Sequence, residues 1–288
     1  MKRIILVLAA AIALISTDAF AQSPKGHLVI IGGGTRTPQI MNRYFDLAGG
    51  RNAKFLVITT AGHKTPQIDG EEAIVEYEGY GVKNVKWIAP TREQANDPKY
   101  IKKHLNGVTG VFFTGGLQKR IIDTLRGSEM HKAIMEMYEK DGIVVAGTSA
   151  GAGMMTDPMI AGSRKPVKSS QSKDNKVTDI KKGNARITPG MGFLKNAIID
   201  QHFIKRAREN RFFSAAFDHP EVTAFGIDEA TAMVVSNGNE VEIIGEGSVM
   251  VAEVDASTIK KDKNGNYGCS GLTLRILLDG DTYTIKEK

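Results

Sequence analysis

The sequence predicts an α/β fold in which helices cover both faces of a mostly parallel sheet. Short apolar segments alternate with helical ones at about 30-residue spacing, the arrangement of successive βαβ units. Several of these segments end in glycine-rich turns, and in a parallel sheet the loops after the strands meet at one edge. The chain of 288 residues is long enough for one large domain, assigned to residues 22–288.

Five apolar segments are predicted as the parallel strands, at residues 27–31, 55–59, 82–88, 108–113 and 143–146. Helices are predicted between them, at residues 40–48 and 68–80 among others. Beyond residue 220 short strands follow one another, at residues 224–227, 232–235, 241–244, 248–254, 272–278 and 282–285. Turns rich in Asn and Gly at residues 236–239 and 263–266 predict antiparallel hairpins that close the edge of the sheet.

Residues 1–21 have the pattern of a cleavable export signal. Lys2 and Arg3 precede an apolar stretch at residues 4–15, and small residues predict a cut after Ala21. The apolar stretch is shorter than the roughly 20 residues of a membrane helix. We therefore expect a periplasmic or secreted protein that has no membrane association after cleavage. Cys269 is the only cysteine, so no intramolecular disulfide is expected.

The charge pattern favours neither nucleic acid nor a nucleotide as partner. The net charge is +6, and seven Lys or Arg residues face two Asp at residues 162–182. That stretch contains no aromatic residue to stack on bases, so a solvated basic loop is the favoured interpretation. The glycines at residues 32–34 lack the spacing of a dinucleotide-binding loop. We expect no cofactor and no metal.

Ser149 has the sequence context of a nucleophile. It follows the apolar segment 143–146 directly, within a run of small residues at 147–153. Small residues allow a sharp turn from strand to helix, which exposes the serine hydroxyl at the positive end of the helix. The alternative is that the small residues only let a helix pack close to a strand.

Among six histidines, His202 is the best candidate for the base. It follows the apolar segment 197–199 and so is expected at the same edge of the sheet as Ser149. The next residues begin a helix with four cations within seven positions, which favours binding of an acidic substrate there. His219, beside Pro220, is predicted to lie at the surface.

A series of short motifs spans nearly the whole chain after residue 22, at residues 31–34, 46–50, 57–61, 113–118, 147–152, 189–192, 200–211 and 226–232. In the order of these motifs the chain resembles the cyanophycinase branch of the S51 serine peptidases. These enzymes are relatives of the α-aspartyl dipeptidases and have a class I glutamine amidotransferase-like, flavodoxin-like fold.

The resemblance implies an exopeptidase that cleaves cyanophycin, a polyaspartate that carries arginine on its side chains, to β-Asp-Arg dipeptides. It implies Ser149 as nucleophile, His202 as base, and the backbone N–H groups of Gly116 and Ala150 as the oxyanion hole. It also implies substrate contacts, with arginines for aspartate carboxylates and an acid for a guanidinium, from Gln118, Asp200, Gln201, Arg206, Arg208 and Arg211. A homodimer is a further expectation.

The chain departs from the family pattern at two places. Leu117 precedes Gln118 where the family has an aspartate. The family also has a glutamate between serine and histidine as third member of the triad, whereas no glutamate lies between Ser149 and His202. Asp179 is the predicted substitute, because a shorter carboxylate can still orient the imidazole.

Three functions therefore stay open. The first is an exported cyanophycin-degrading exopeptidase, and the second is an aspartyl or isoaspartyl dipeptidase on the same scaffold. The third is a secreted binding protein that has lost the triad, favoured by the missing glutamate. A lipase-like hydrolase is less favoured because no oxyanion motif of lipases is visible. Amidotransfer is disfavoured because it needs a cysteine at the elbow.

Overall fold

A computed structural model describes residues 23–62, 66–164 and 179–287 of the chain. Its seven α-helices in these ranges are α1 (Pro38–Leu47), α2 (Pro66–Gly79), α3 (Pro98–Leu105), α4 (Gln118–Leu125), α5 (Glu129–Glu136), α6 (Ala150–Gly153) and α7 (Glu209–Asp218). The predicted export signal, and most of the basic loop, lie outside the described residues.

Sixteen strands occur in the same ranges. The first eight are β1 (His27–Ile31), β2 (Phe55–Ile58), β3 (Val85–Ile88), β4 (Gly110–Phe113), β5 (Val144–Thr148), β6 (Met159–Ser163), β7 (Ala185–Thr188) and β8 (Ala197–Gln201). The others are β9 (Thr223–Ile227), β10 (Thr231–Ser236), β11 (Glu240–Gly245), β12 (Val249–Val254), β13 (Ile259–Lys261), β14 (Tyr267–Cys269), β15 (Leu272–Leu277) and β16 (Thr282–Thr284).

The main sheet has eight strands in the order β16-β11-β10-β1-β5-β4-β2-β3. The five neighbouring strands β1, β5, β4, β2 and β3 are parallel to one another. At the other end of the sheet, β10, β11 and β16 each run antiparallel to their neighbours. The carboxyl ends of β1, β5 and β4 are therefore adjacent, with Ile31 paired to Thr148 and Phe113 to Gly147. This edge brings together the three glycine-rich turns found in the sequence.

A second sheet has four strands in the order β15-β12-β9-β8. Within it β8 and β9 are parallel, and β12 is antiparallel to both β9 and β15. The sequence prediction placed all the late strands at the edge of one sheet. Only β10, β11 and β16 extend the main sheet, whereas β9, β12 and β15 join β8 in the second sheet.

Two buried clusters cover the two faces of the main sheet. Val29 and Ile31 of β1 pack with α1 and α2 on one face. Leu28 and Ile30 face the opposite way and pack with α4, α5 and apolar residues of the second sheet. The outer face of the second sheet packs against α7. The predicted α/β fold with helices on both faces of a mostly parallel sheet is confirmed.

Candidate active site

Ser149 lies at the tip of a strand-to-helix elbow. It directly follows β5 and precedes the short helix α6, and its backbone has φ 54° and ψ −109°. A positive φ is strained for a residue with a side chain, by on the order of 1–3 kcal/mol. The Ser149 N–H is held by the carbonyl of Ile31 at 3.1 Å, at the end of the neighbouring strand.

The small residues around Ser149 are required by close backbone packing. A Cβ at Gly147 would lie 2.4 Å from the carbonyl oxygen of Gly151. A Cβ at Gly151 would lie 2.2 Å from the carbonyl oxygen of Phe113. Helix α6 therefore packs directly on β5 and β4, and this packing holds the serine at the sheet edge.

His202 reaches this edge from the second sheet. It follows β8 with φ 48°, and its N–H donates to the carbonyl of Gly32 at 2.7 Å. Its Nε2 lies 2.8 Å from the Oγ of Ser149. The structure thus brings the predicted serine and histidine into hydrogen-bond contact although 53 positions separate them.

Gly33 leaves the space that the His202 ring occupies. A Cβ on Gly33 would lie 2.2 Å from the Cε1 of His202 and 2.5 Å from its Nε2. Gly33 also has φ +119°, which side chains rarely adopt. The glycine turn after β1 therefore serves as the support of the imidazole ring.

Glu229 contacts the other ring nitrogen of His202. Its Oε1 lies 2.6 Å from the Nδ1 of His202. Glu229 lies in the tight connection between β9 and β10, which is anchored where Ala230 N–H donates to the Gly33 carbonyl at 2.9 Å. The sequence analysis does not identify this residue, although it lies in the motif at residues 226–232, because the family pattern places the glutamate between the serine and the histidine.

The prediction that Asp179 orients His202 is corrected by this geometry. The Asp179 carboxylate forms an ion pair with Lys181 and accepts a hydrogen bond from the amide of Asn184 at 3.0 Å. The prediction of Asp179 depends on the absence of a glutamate between Ser149 and His202. The folded chain places a carboxylate from the next strand connection there instead, so no substitute is needed.

Burial lowers the pKa of His202 below its ordinary value, and the hydrogen bond to Glu229 opposes this effect. The nearby positive charges of Arg206 and Arg208 lower the pKa of His202 further. The hydrogen bond to His202 is the main cause that lowers the pKa of Glu229. At neutral pH the imidazole is therefore neutral and the carboxylate is ionised, as a base and its orienting partner must be.

The turn after β4 faces Ser149 with backbone groups. A Cβ on Gly115 would lie 3.4 Å from the Cβ of Ser149. At Gly116 a Cβ would lie only 2.0 Å from the carbonyl oxygen of Ala61, so this close approach requires glycine. In the described ranges, the N–H of Gly116 donates to no backbone carbonyl. Ala150 is the first residue of α6, and the first N–H groups of a helix have no partner within the helix. Gly116 follows Gly115 and Ala150 follows Ser149, and their roles as oxyanion donors stay a prediction.

Two of the predicted substrate contacts are bound to each other in the interior. Asp200 is 1% exposed, and its carboxylate takes two hydrogen bonds from the guanidinium of Arg211, one of them at 2.6 Å. Arg208 is 3.4 Å from the same carboxylate and also donates to the Gln201 carbonyl. The prediction that Asp200 receives a substrate guanidinium, and Arg211 a carboxylate, is corrected because this buried pair satisfies both groups.

The other predicted contacts differ in their surroundings. Arg206 is exposed in the turn after His202, where it faces solvent beside the site. Gln118 begins α4 and donates its amide to the carbonyl of Ile160 at 3.1 Å. Gln201 is 6% exposed, and its Oε1 has no hydrogen-bond partner in the described part of the chain.

Burial and the neighbouring Arg211 lower the pKa of Arg208 to about 10, so its guanidinium stays charged at neutral pH.

Neither a metal centre nor a membrane helix is found in the ranges that the structure describes. No cluster of three or more His, Cys, Asp or Glu residues within them is arranged to hold a metal ion. Likewise, none of the helices in residues 23–62, 66–164 and 179–287 is long and apolar enough to cross a membrane.

The chain of contacts from Ser149 through His202 to Glu229, at the carboxyl edge of a parallel sheet, defines a serine-type hydrolase. The model of peptidase family S51 matches residues 28–244, so the chain belongs to this family of serine peptidases. The resemblance of the motifs is thereby confirmed at the level of the family.

Relatives of this chain include proteins described as cyanophycinases. One from Geminocystis herdmanii is 30% identical over 272 residues, which cover 91% of this chain and 94% of that protein. Another, from Nostoc sp., is 28% identical over 276 residues, with coverage of 93% and 88%. The crystal structure of a peptidase from an acI-B1 Actinobacterium has a TM-score of 0.63 and 21% identity, covers 92% of this chain and 99% of that one, and supports the fold alone.

Proposed function

We propose that this protein is an exopeptidase that hydrolyses cyanophycin and releases β-Asp-Arg dipeptides. The observation that carries the proposal is the hydrogen-bonded triad of Ser149, His202 and Glu229. The relatives that match nine-tenths of this chain are described as cyanophycinases. The intact third partner removes the main support for a binding protein without catalysis.

The proposed mechanism proceeds through an acyl-enzyme. The Oγ of Ser149 attacks the scissile carbonyl while Nε2 of His202 accepts its proton, and the oxyanion forms beside the N–H groups of Gly116 and Ala150. Glu229 stabilises the positive charge of the imidazolium, which then gives its proton to the leaving amine. Water next attacks the ester with His202 as base, which frees the product and restores the serine.

The exposed cation Arg206 supports the choice of a substrate that carries free carboxylates. It lies in the turn that begins at His202, so the free α-carboxylate of an arginine on the polymer can pair with it next to the reacting bond. Arg208 adds positive potential from a more buried position. Both charges favour a substrate that presents free carboxylates close to the scissile bond.

Short aspartyl or isoaspartyl peptides are the second candidate substrates. Leu117, which stands where the family has an aspartate, is 45% exposed beside Gly116. An exposed apolar side chain at this rim removes one polar contact that a long polymer would use. The observation therefore favours shorter substrates if cyanophycin is not cleaved.

The test is incubation of the purified protein with insoluble cyanophycin, with mass spectrometry of the soluble products. Release of β-Asp-Arg by the wild type but not by Ser149→Ala supports the proposal. If no dipeptide appears, cleavage of a panel of aspartyl and isoaspartyl dipeptides decides for the second candidate. A protein that cleaves neither contradicts both.

Export to the periplasm or medium is a separate proposal that rests on residues 1–21. We propose that the mature chain begins at Gln22 and that it has no membrane anchor. Expression in a Gram-negative host followed by cell fractionation and intact-mass measurement tests this. A cytoplasmic protein that retains residues 1–21 would contradict it.

A further inference from the structure

The carboxylate that contacts His202 is partly open to solvent. The side chain of Glu229 is 28% exposed, whereas that of His202 is 7% exposed. In the described part of the chain, the Glu229 carboxylate has one hydrogen-bond partner, the Nδ1 of His202 at 2.6 Å. Water competes for an exposed carboxylate, and a long side chain loses rotamer freedom when it is held in one place. The position of Glu229 therefore depends on the backbone that carries it.

The residue after Glu229 has a strained backbone. Ala230 has φ 54°, a conformation that persists in a residue with a side chain only where its surroundings fix it. The Ala230 N–H donates to the Gly33 carbonyl at 2.9 Å, and the Glu246 N–H donates to the Ala230 carbonyl at 2.9 Å. The first of these bonds holds one end of the peptide between Glu229 and Ala230. The other end of that peptide, the carbonyl of Glu229, needs a separate contact.

The hydroxyl of Thr231 supplies that contact. Thr231 is the first residue of β10 and is 0% exposed. Its Oγ1 donates to the Glu229 carbonyl at 3.0 Å and accepts from the Gly247 N–H at 2.8 Å. A hydroxyl has one proton to donate and lone pairs to accept, so both bonds form at once. The hydroxyl therefore joins the backbone of Glu229 to the turn between β11 and β12.

Two glycines allow the backbone to pack closely around Glu229. A Cβ on Gly247 would lie 2.6 Å from the Oγ1 of Thr231 and 3.2 Å from the carbonyl oxygen of Glu229. A Cβ on Gly34 would lie 2.8 Å from the Cβ of Glu229 and 3.0 Å from its Oε2. Glu229 is thus packed both at its carbonyl and along its side chain. A rotation of its peptide would move the carboxylate relative to His202.

We propose that Thr231 is a positioning residue for the triad, whose hydroxyl fixes the peptide of Glu229 and so directs the Glu229 carboxylate to the Nδ1 of His202. Without the hydroxyl, Ala230 can relax from its strained conformation and the Glu229 carbonyl can rotate. Glu229 then spends part of its time in solvent, and His202 loses its orienting partner. The inference depends on the triad and not on the substrate, so it holds whether or not cyanophycin is cleaved.

The rate at which a fluorophosphonate labels Ser149 tests this role in the purified protein, with intact-mass spectrometry as the readout. Thr231→Val keeps the shape of the side chain and removes the hydroxyl. It should label about tenfold more slowly or worse, because a displacement of about 1 Å at a catalytic group can cost about 10²-fold in rate. Thr231→Ser keeps the hydroxyl and should restore labelling close to the wild-type rate.

Thr109→Val is the matched control. The Oγ1 of Thr109 donates to the Ala48 carbonyl at 2.6 Å, directly before β4 and therefore at the edge of the main sheet opposite the triad. This variant also loses one hydrogen bond from a hydroxyl to a carbonyl, but it should label at the wild-type rate. Urea unfolding of both variants shows whether they lose stability to the same extent.

A double-mutant cycle separates positioning of Glu229 from a general effect on the fold. In the Glu229→Gln background, Thr231→Val should cause no further slowing, because the carboxylate through which it acts is already absent. Gly247→Ala provides a second route that leaves Thr231 intact, since its Cβ would displace the Thr231 hydroxyl. It should slow labelling in the wild type and not in Glu229→Gln, and it decides the question if Thr231→Val does not fold.

Equal slowing by Thr231→Val with and without the Glu229 carboxylate would overturn the inference, because the hydroxyl would then act on the fold alone. Labelling of Thr231→Val at the wild-type rate would also overturn it, as would a Thr231→Ser protein as slow as Thr231→Val. A wild-type protein whose Ser149 is not labelled would remove the triad and this inference with it. Failure to cleave cyanophycin, with labelling intact, would remove only the proposed substrate.

Discussion

Glu229 Oε1 lies 2.6 Å from Nδ1 of His202, across the connection between two strands that belong to different sheets. His202 follows β8 of the second sheet, and Glu229 precedes β10 of the main sheet. The two sheets must therefore be correctly packed before the histidine is oriented. This dependence links the stability of the fold to the reactivity of Ser149.

Replacement of Ser149 or His202 should abolish reaction with a fluorophosphonate that labels activated serines. Because each residue acts only together with the other, Ser149→Ala and His202→Ala are each expected to lower kcat by about 10⁴-fold or more. Labelling is followed by intact-mass spectrometry and kcat by dipeptide release. Stoichiometric labelling of His202→Ala at the wild-type rate would contradict the assignment of the base.

Glu229→Gln should reduce the labelling rate of Ser149 by about 10²- to 10⁴-fold, since a neutral amide no longer stabilises the imidazolium or selects its tautomer. Asp179→Asn is the matched control, because this carboxylate contacts Lys181 and Asn184. It should label at the wild-type rate. A larger loss in Asp179→Asn than in Glu229→Gln would restore the original assignment.

The pH dependence of labelling should have its acidic midpoint below 6.5, because burial lowers the pKa of His202. The imidazole accepts the Ser149 proton only when it is neutral, so reactivity is lost as the pH falls through that pKa. Arg206→Gln removes a charge that lowers the pKa and should shift the midpoint upward. Lys132→Gln, on helix α5, should leave the midpoint unchanged, and a downward shift in Arg206→Gln would contradict the electrostatic explanation.

Gly33→Ala should lower Ser149 reactivity by displacing the His202 ring, which the new Cβ would approach to 2.2 Å. Gly183→Ala is the matched control, because Gly183 also has positive φ but no atom within 4 Å of a Cβ. Both variants are expected to lose about 1 kcal/mol of stability or more from backbone strain. Only Gly33→Ala should lose labelling of Ser149. The labelling rate and the stability in urea are measured for both variants, and equal labelling rates would refute the role of Gly33.

The buried pair of Asp200 and Arg211 should contribute to stability and not to the binding of substrate. Asp200→Asn leaves a buried guanidinium without its counter-charge and is expected to cost about 3–5 kcal/mol in urea unfolding. The exposed pair of Lys119 and Asp123 provides the comparison, and Asp123→Asn should change stability by less than about 1 kcal/mol. An Asp200→Asn protein of unchanged stability but weakened binding of β-Asp-Arg would reinstate Asp200 as a substrate contact.

Local patterns were sufficient for much of the fold and for half of the site. The apolar run before Ser149 predicts a buried strand, and the small residues after it predict the elbow that the structure contains. The turn at residues 236–239 predicts the hairpin of β10 and β11, where Asn237 and Gly238 both have positive φ. These features depend on residues near one another in the chain, so the sequence alone indicates them.

Long-range packing decided the rest. Local sequence patterns predict the parallel α/β sheet, the serine at its edge and the histidine as its candidate partner. The folded chain shows, in addition, that β8, β9, β12 and β15 form a second sheet, that Glu229 and not Asp179 contacts His202, and that Asp200 is paired with Arg211. A carboxylate pairs with a histidine or an arginine only when folding brings the two within hydrogen-bond distance. Many carboxylates lie along the chain, and their order in the sequence does not show which one comes close. Only the packing of the two sheets selects among them.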